Sequence, residues 1–233
     1  MSREYRLIDV SHTVEHGMIT YKGLPAPVIS DYVSREDSKT RYAPGTEFHI
    51  GKIEMVANTG TYLDSPFHRY ARGKDLAALD LNSIANLDGI VVRCTEQTEI
   101  SEQVFTEIDV KDKAVLIHTG WDKHWRTEEY SSGNHPFLTE GAATYLAKNA
   151  AVLVGIDSFN IDATRDGNRP AHTVLLGHDI PIVEHLCGLG ELPERGFKFF
   201  AVPVKVREFG TFPVRAFSIV DYSRKDATTQ RSV

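Results

Sequence analysis

Residues 58–68 read Asn-Thr-Gly-Thr-Tyr-Leu-Asp-Ser-Pro-Phe-His, the richest run of chemically useful side chains in the sequence. The Asp64 carboxylate suits a divalent ion or an imidazole partner, and His68, four residues on, can take up a proton near neutral pH. Gly60 lets the backbone turn closely, and Pro66 punctuates the segment soon after. By residue type alone the run also fits a plainer role, with Asp64 capping a turn and His68 a hydrogen-bonded surface residue.

Such groups need rigid elements on either side. The alternating then apolar stretch from His49 to Val56 predicts a strand leading straight into the polar segment. Ahead of it, Leu7 to Val14 reads as a short strand, and SREDSKTRYAPGTEFHIG as a long polar loop. Leu76 to Leu87 predicts a short helix, ended by Gly89 before the β-branched run at 90–92. The apolar runs at 114–118 and 151–157 are buried strands, and Thr139 caps an alanine-rich helix between them that ends near Asn149. Pro170 suits the first turn of a further helix ending near Gly177, followed by a strand from Ile180 to Val183 that stops at Glu184. Phe199–Val206 and Val214–Val220 are the last two strands. Strand, helix and strand in succession imply mixed α/β architecture.

Composition narrows the function. Of 233 residues, 26 are Lys or Arg and 32 Asp or Glu, so the net charge of −6 opposes general binding to a nucleic-acid backbone. Only Cys94 and Cys187 are present, too few for a disulfide scaffold. The start MSREYRLIDV lacks a secretory pattern, and no apolar run approaches the roughly 20 residues of a membrane span. A cytoplasmic setting, with no membrane or nucleic-acid partner, is the expectation. Residues 1–233 read as one domain, with 222–233 a polar tail or an arm packed on another subunit.

The 58–68 segment resembles the signature H-x-G-T-H-x-D-x-P-x-H of the metal-dependent cyclase superfamily, which includes bacterial kynurenine formamidases and isatin hydrolases. Gly60, Thr61, Asp64, Pro66 and His68 match, while Asn58 and Tyr62 stand where the signature has histidines. Asp9, Ser11, Tyr21, Gly23 and Pro25 near the start, Asp157 and Asp162 in IDSFNID, and His172 and Glu184 in RPAHTVLLGHDIPIVEHL follow the family's order. The resemblance implies an α/β class fold: a compact cyclase-like α/β/β domain with a mixed β-sheet or barrel-like core and peripheral helices, assembled as a homodimer or homotetramer. It also implies that Asn58, Tyr62 and Asp64 converge with His172 and Glu184.

A neutral amide and a phenol are poor metal ligands, so the two substitutions argue against a pair of ions. Asp64, His172 and Glu184 remain a reasonable set for one Zn²⁺ or Mn²⁺, with His68 moving the proton during hydrolysis of an aryl formamide or cyclic amide. A metal-free enzyme acting on a carbonyl compound is the alternative, in which Asp64 orients His68 and Tyr62 donates to a developing oxyanion. A noncatalytic ligand-binding protein is the third reading. The substrate-binding candidates are Asn58, Tyr21, Phe48, Phe67, Arg69 and Trp121, the aromatic ones as pocket walls and Arg69 for a carboxylate. Arg72 and Lys74 could share that charge or form an ordinary solvated patch.

Overall fold

The aliphatic runs at the centre of the chain are buried on both sides, as strands of a parallel sheet covered on both faces must be. The computed structural model describes residues 5–221, so the expected tail or arm at 222–233 lies outside the described residues. In chain order the strands are β1 (Tyr5–Asp9), β2 (Val28–Val33), β3 (Ile50–Glu54), β4 (Tyr62–Asp64), β5 (Leu87–Arg93), β6 (Glu99–Ile100), β7 (Lys113–His118), β8 (Phe137–Leu138), β9 (Leu153–Ile156), β10 (Ile182–Glu184), β11 (Arg195–Phe200), β12 (Thr211–Pro213) and β13 (Phe217–Asp221). The helices are α1 (Arg35–Ser38), α2 (Glu140–Lys148) and α3 (Pro170–Gly177).

Nine strands form one curled mixed sheet in the order β1-β13-β11-β5-β7-β9-β10-β4-β12. The central pairs β5·β7, β7·β9 and β9·β10 are parallel, and the flanking pairs are antiparallel. Alternate residues of these strands feed two cores. Ile90, Val92, Val115, Ile117, Val154 and Ile156 pack with Ala142, Leu146, Ala171 and Leu175 of α2 and α3. Val91, Leu116, Leu153 and Val183 point the other way, toward Leu63, Phe197, Phe199 and Val220. Each fully buried Leu, Ile, Val or Phe contributes about 1.5–3 kcal/mol. The α/β class fold expected from the sequence is therefore present. Among the described residues no helix is long and apolar enough to cross a membrane.

Local chemistry sets the boundaries. The Thr139 hydroxyl accepts from Ala142 N at 3.2 Å and starts α2, as its position in the sequence predicts. Pro170 occupies the first turn of α3. Three expectations need correction. The helix expected over 76–87 is only a 3₁₀ turn, Leu81–Ser83, because the Asp75 and Asp80 carboxylates capture the amides of Ala78 and Asn82 and favour separate turns. The first strand stops at Asp9, whose carboxylate takes both Ser11 N and Ser11 Oγ and turns the chain. The strand expected from Phe199 to Val206 lies earlier, at Arg195–Phe200, and residues 201–206 have no regular structure. The hairpin of β2 and β3 was only half legible: β3 falls within the strand expected from His49 to Val56, whereas the sequence pattern assigns no element to Val28–Val33.

Candidate active site

Three short strands at one end of the sheet place the polar groups. Tyr62 and Asp64, two residues apart on β4, share a face. Glu184 of β10 lies opposite Tyr62, and Thr211 of β12 lies opposite Asp64, so the register alone brings four side chains together. Pro66 then opens the 3₁₀ turn Pro66–His68, which swings His68 over the strand end. Two glycines press against this turn. A Cβ on Gly210 would come within 2.6 Å of the His68 backbone, and one on Gly73 within 2.6 Å of Pro66, so neither position has room for a side chain.

From the opposite side, α3 delivers His172. Asp162 accepts from the amides of Ala171 (2.6 Å) and His172 (3.1 Å) at the start of that helix, and from His172 Nδ1 at 2.6 Å. The other ring nitrogen, Nε2, faces Asp64 Oδ2 at 3.7 Å and Glu184 Oε1 at 3.8 Å. Burial pushes the His172 imidazole down, but the Glu184 charge, the Asp162 hydrogen bond and Asp64 outweigh it and raise its pKa to about 10. Burial also pushes the Glu184 carboxyl up, against the opposing effects of His172 and of hydrogen bonds from Tyr62 and Ile161 N.

Glu184 is anchored firmly. Its Oε1 accepts Ile161 N at 2.6 Å, and its Oε2 accepts the Tyr62 hydroxyl at 2.6 Å, with Tyr21 and Asn160 behind at 3.4 Å. The Tyr62 phenol is pushed well above its ordinary range by burial and by the Glu184 charge, so it stays protonated. With that proton donated to Glu184, Tyr62 is a clamp on the carboxylate.

His68 is oriented through Thr211. The Thr211 hydroxyl donates to Asp64 Oδ1, and its oxygen lies 2.8 Å from His68 Nδ1. A hydroxyl has one proton, so His68 Nδ1 must be the donor in the second contact, and the neutral ring in that tautomer has its lone pair on Nε2.

These side chains surround a cavity of about 320 Å³ lined by Tyr21, Leu24, Asn58, Tyr62, His68, Arg69, Asn160, Gly167, Asn168, Arg169, His172 and Glu184. Asp64 is fully buried beneath them. The structure thus brings together eight residues singled out from the sequence: Tyr21, Asn58, Tyr62, Asp64, His68, Arg69, His172 and Glu184. Phe48, Phe67 and Trp121 do not line this cavity. Phe48 is exposed beside β3 with its ring edge-on to Tyr42, the Phe67 amide bonds Lys74 O, and the Trp121 indole donates to Tyr130 O at 3.1 Å. Lys74 pairs with Asp179 at 2.9 Å, so its charge is already matched.

Sequence reasoning missed Thr211, Asn160, Asn168 and Arg169. Thr211 carries no motif signal, since only strand register makes it a neighbour of the site, and Asn160 lies inside IDSFNID, where the resemblance singles out only the two aspartates. Arg169 precedes Pro170, a weak local sign that it starts a helix.

The donor chemistry fits a single divalent ion. Asp64 Oδ2 is buried and has no hydrogen-bond partner, and His172, held by Asp162, turns its second nitrogen toward it. Donors 2.0–2.2 Å from a tetrahedral ion stand about 3.3–3.6 Å apart, close to the 3.7 Å from His172 Nε2 to Asp64 Oδ2 and the 3.8 Å from His172 Nε2 to Glu184 Oε1, while the set whose donor atoms are all close to one another takes His68 as its third member in place of Glu184. Donor atoms of Asp64, His68 and His172 all lie within 4.8 Å of one another. The Tyr62 phenol, protonated and hydrogen-bonded to Glu184, is a poor ligand for a second ion.

Known proteins share this architecture. The cyclase family model matches residues 8–163. A kynurenine formamidase of Polaromonas naphthalenivorans is 25% identical over 218 residues, covering 92% of this chain and 91% of its own. One from Bacillus cytotoxicus is 28% identical over 218 residues, covering 90% and 95%. Isatin hydrolase A from Labrenzia aggregata superposes with a TM-score of 0.77 at 19% identity over 93% of this chain and 94% of that one, evidence for a common fold. With a family match over more than half its length and relatives aligned almost end to end, the chain belongs to the cyclase family.

Proposed function

We propose that this protein is a hydrolase of aryl formamides or cyclic amides that works with one Zn²⁺ or Mn²⁺ held by Asp64, His172 and Glu184. The observation that carries the reading is the unpartnered, buried Asp64 Oδ2 facing a His172 nitrogen that Asp162 holds in place. Kynurenine formamidases among its relatives support the substrate class. When bound, the ion polarises a carbonyl and lowers the pKa of a water. His68 Nε2 takes the proton of the attacking water and returns it to the departing nitrogen. Asn58 lines the cavity with its amide free of hydrogen bonds to described residues, and it donates to the developing oxyanion. Tyr62, Tyr21 and Asn160 hold Glu184 in position.

The test is metal analysis after gentle purification, paired with turnover of N-formylkynurenine and isatin. About one ion per chain, lost in Glu184→Gln together with activity, is the expected result. Turnover without bound metal would instead support a metal-free carbonyl enzyme, a reading favoured by the same carboxylates' ability to hold a protonated His172. No turnover and no ion would leave a ligand-binding protein.

We also propose that the chain works as a homodimer or homotetramer. The β2/β3 hairpin leaves Val28, Ile29, Tyr32, Ile50 and Ile53 between 42% and 72% exposed, and an isolated two-stranded hairpin is marginal in water. A second copy covering it relieves both problems. Light scattering coupled to size-exclusion chromatography should give two or four chains per particle, and a monomer would remove the proposal.

A further inference from the structure

The cavity wall carries two guanidinium groups without acidic partners. Arg69, exposed just beyond the Pro66–His68 turn, donates from Nε to Thr173 Oγ1 at 3.3 Å. Arg169, half-buried at the start of α3, donates to the Ala163 carbonyl at 3.3 Å. Among the described residues neither has a carboxylate within salt-bridge distance, although both line the same cavity as Glu184. The nearby acids are turned inward: Glu184 is held by Tyr62 and Ile161 N, and Asp162 by His172 and two helix amides.

Arg169 also sits in a costly conformation. Its φ of 50° and ψ of 59° are left-handed, a region that a side chain this large rarely adopts. Strained residues of this kind persist where surrounding structure enforces them, and they cluster at ligand-binding sites. The amides at the start of α3 are taken by Asp162, so the helix end has none free for an incoming anion, and the two arginine side chains are the charged donors without a carboxylate partner on this wall. A guanidinium presents a planar fork that matches a carboxylate, and its charge never titrates away.

We propose that Arg69 and Arg169 form a carboxylate subsite that selects substrates bearing an acid group on the arm remote from the scissile carbon–nitrogen bond. The proposal rests on the hydrolytic reading above and adds its specificity. Leu24 and Tyr21 give the same cavity apolar and aromatic surface for the body of an aryl substrate.

Two measurements test it. The first compares kcat/KM for an aryl formamide carrying a propanoate arm with that for its methyl ester, in wild type, Arg69→Met, Arg169→Asn and the double variant. Asn tolerates the left-handed backbone, so this substitution separates loss of the guanidinium from loss of the fold. The wild type should prefer the acid, and that preference should fall about tenfold in each single variant and further in the double one. The second titrates ion-depleted protein with 3-phenylpropanoate and with its neutral amide by calorimetry. The acid should bind more tightly, and this advantage should vanish in the double variant. Equal handling of acid and ester by the wild type, or equal loss of both in the variants, would overturn the subsite. If no formamide is hydrolysed, arginine-dependent binding of the acid would still support the subsite while the hydrolytic reading fails.

Discussion

Asp64→Asn is expected to purify without the ion and to hydrolyse its substrate about 10³-fold more slowly, a loss of about 4 kcal/mol of transition-state stabilisation. The replacement is nearly isosteric, so the argument concerns charge and donor pattern. The amide oxygen can still accept from Thr211, which leaves its NH₂ in the place of Oδ2, toward His172 Nε2. A neutral amide is a weak ligand, and against a protonated His172 it sets donor against donor. The substitution also removes one of the charges that raise the His172 pKa to about 10, so that value should fall. Elemental analysis, far-UV circular dichroism and steady-state kinetics on one preparation separate these effects. An Asp64→Asn protein that keeps its ion, or stays within tenfold of wild-type kcat, would rule out the proposed centre.

His68→Gln is expected to lower kcat by about 10²–10⁴-fold, the usual contribution of a positioned acid–base group, while the ion stays bound. The His68 side chain is about one third exposed, with 36% relative accessibility, so the substitution removes little buried surface. The Thr211 hydroxyl supplies an internal control. Thr211→Val removes the oxygen that receives the Nδ1 proton, so the free Nε2 lone pair is no longer enforced; a loss of about 10–100-fold is expected, as for other residues that orient a catalytic group. Thr211→Ser keeps the hydroxyl and should recover most of it. Loss of the ion in His68→Gln would move His68 from proton transfer to the ligand set, a role its place within 4.8 Å of Asp64 and His172 also allows.

How much of this was legible before folding depends on the range of the forces involved. The central strands and both longer helices were readable because their signals are local: β-branched runs at 90–92 and 151–157, the Thr139 cap, and Pro170 at a helix start. The 76–87 helix was misread because side-chain capture of amides by Asp75 and Asp80 competes with helical bonding over the same few residues. The site was legible where a motif carries it, at Asp64 and His68 and in the order of His172 and Glu184.

The amino-acid sequence by itself determined the α/β alternation, the family signature and the chemical types available to the site, since each depends on neighbours within about a dozen positions. Tertiary structure alone decided that Tyr62 clamps Glu184, that Thr211 joins Asp64 to His68, and that Arg169 faces the same cavity as Arg69. Those partners are 122, 147, 143 and 100 positions apart respectively, and only the lateral register of β4 with β10 and β12, and the docking of α3 beside them, closes such distances to a few ångströms.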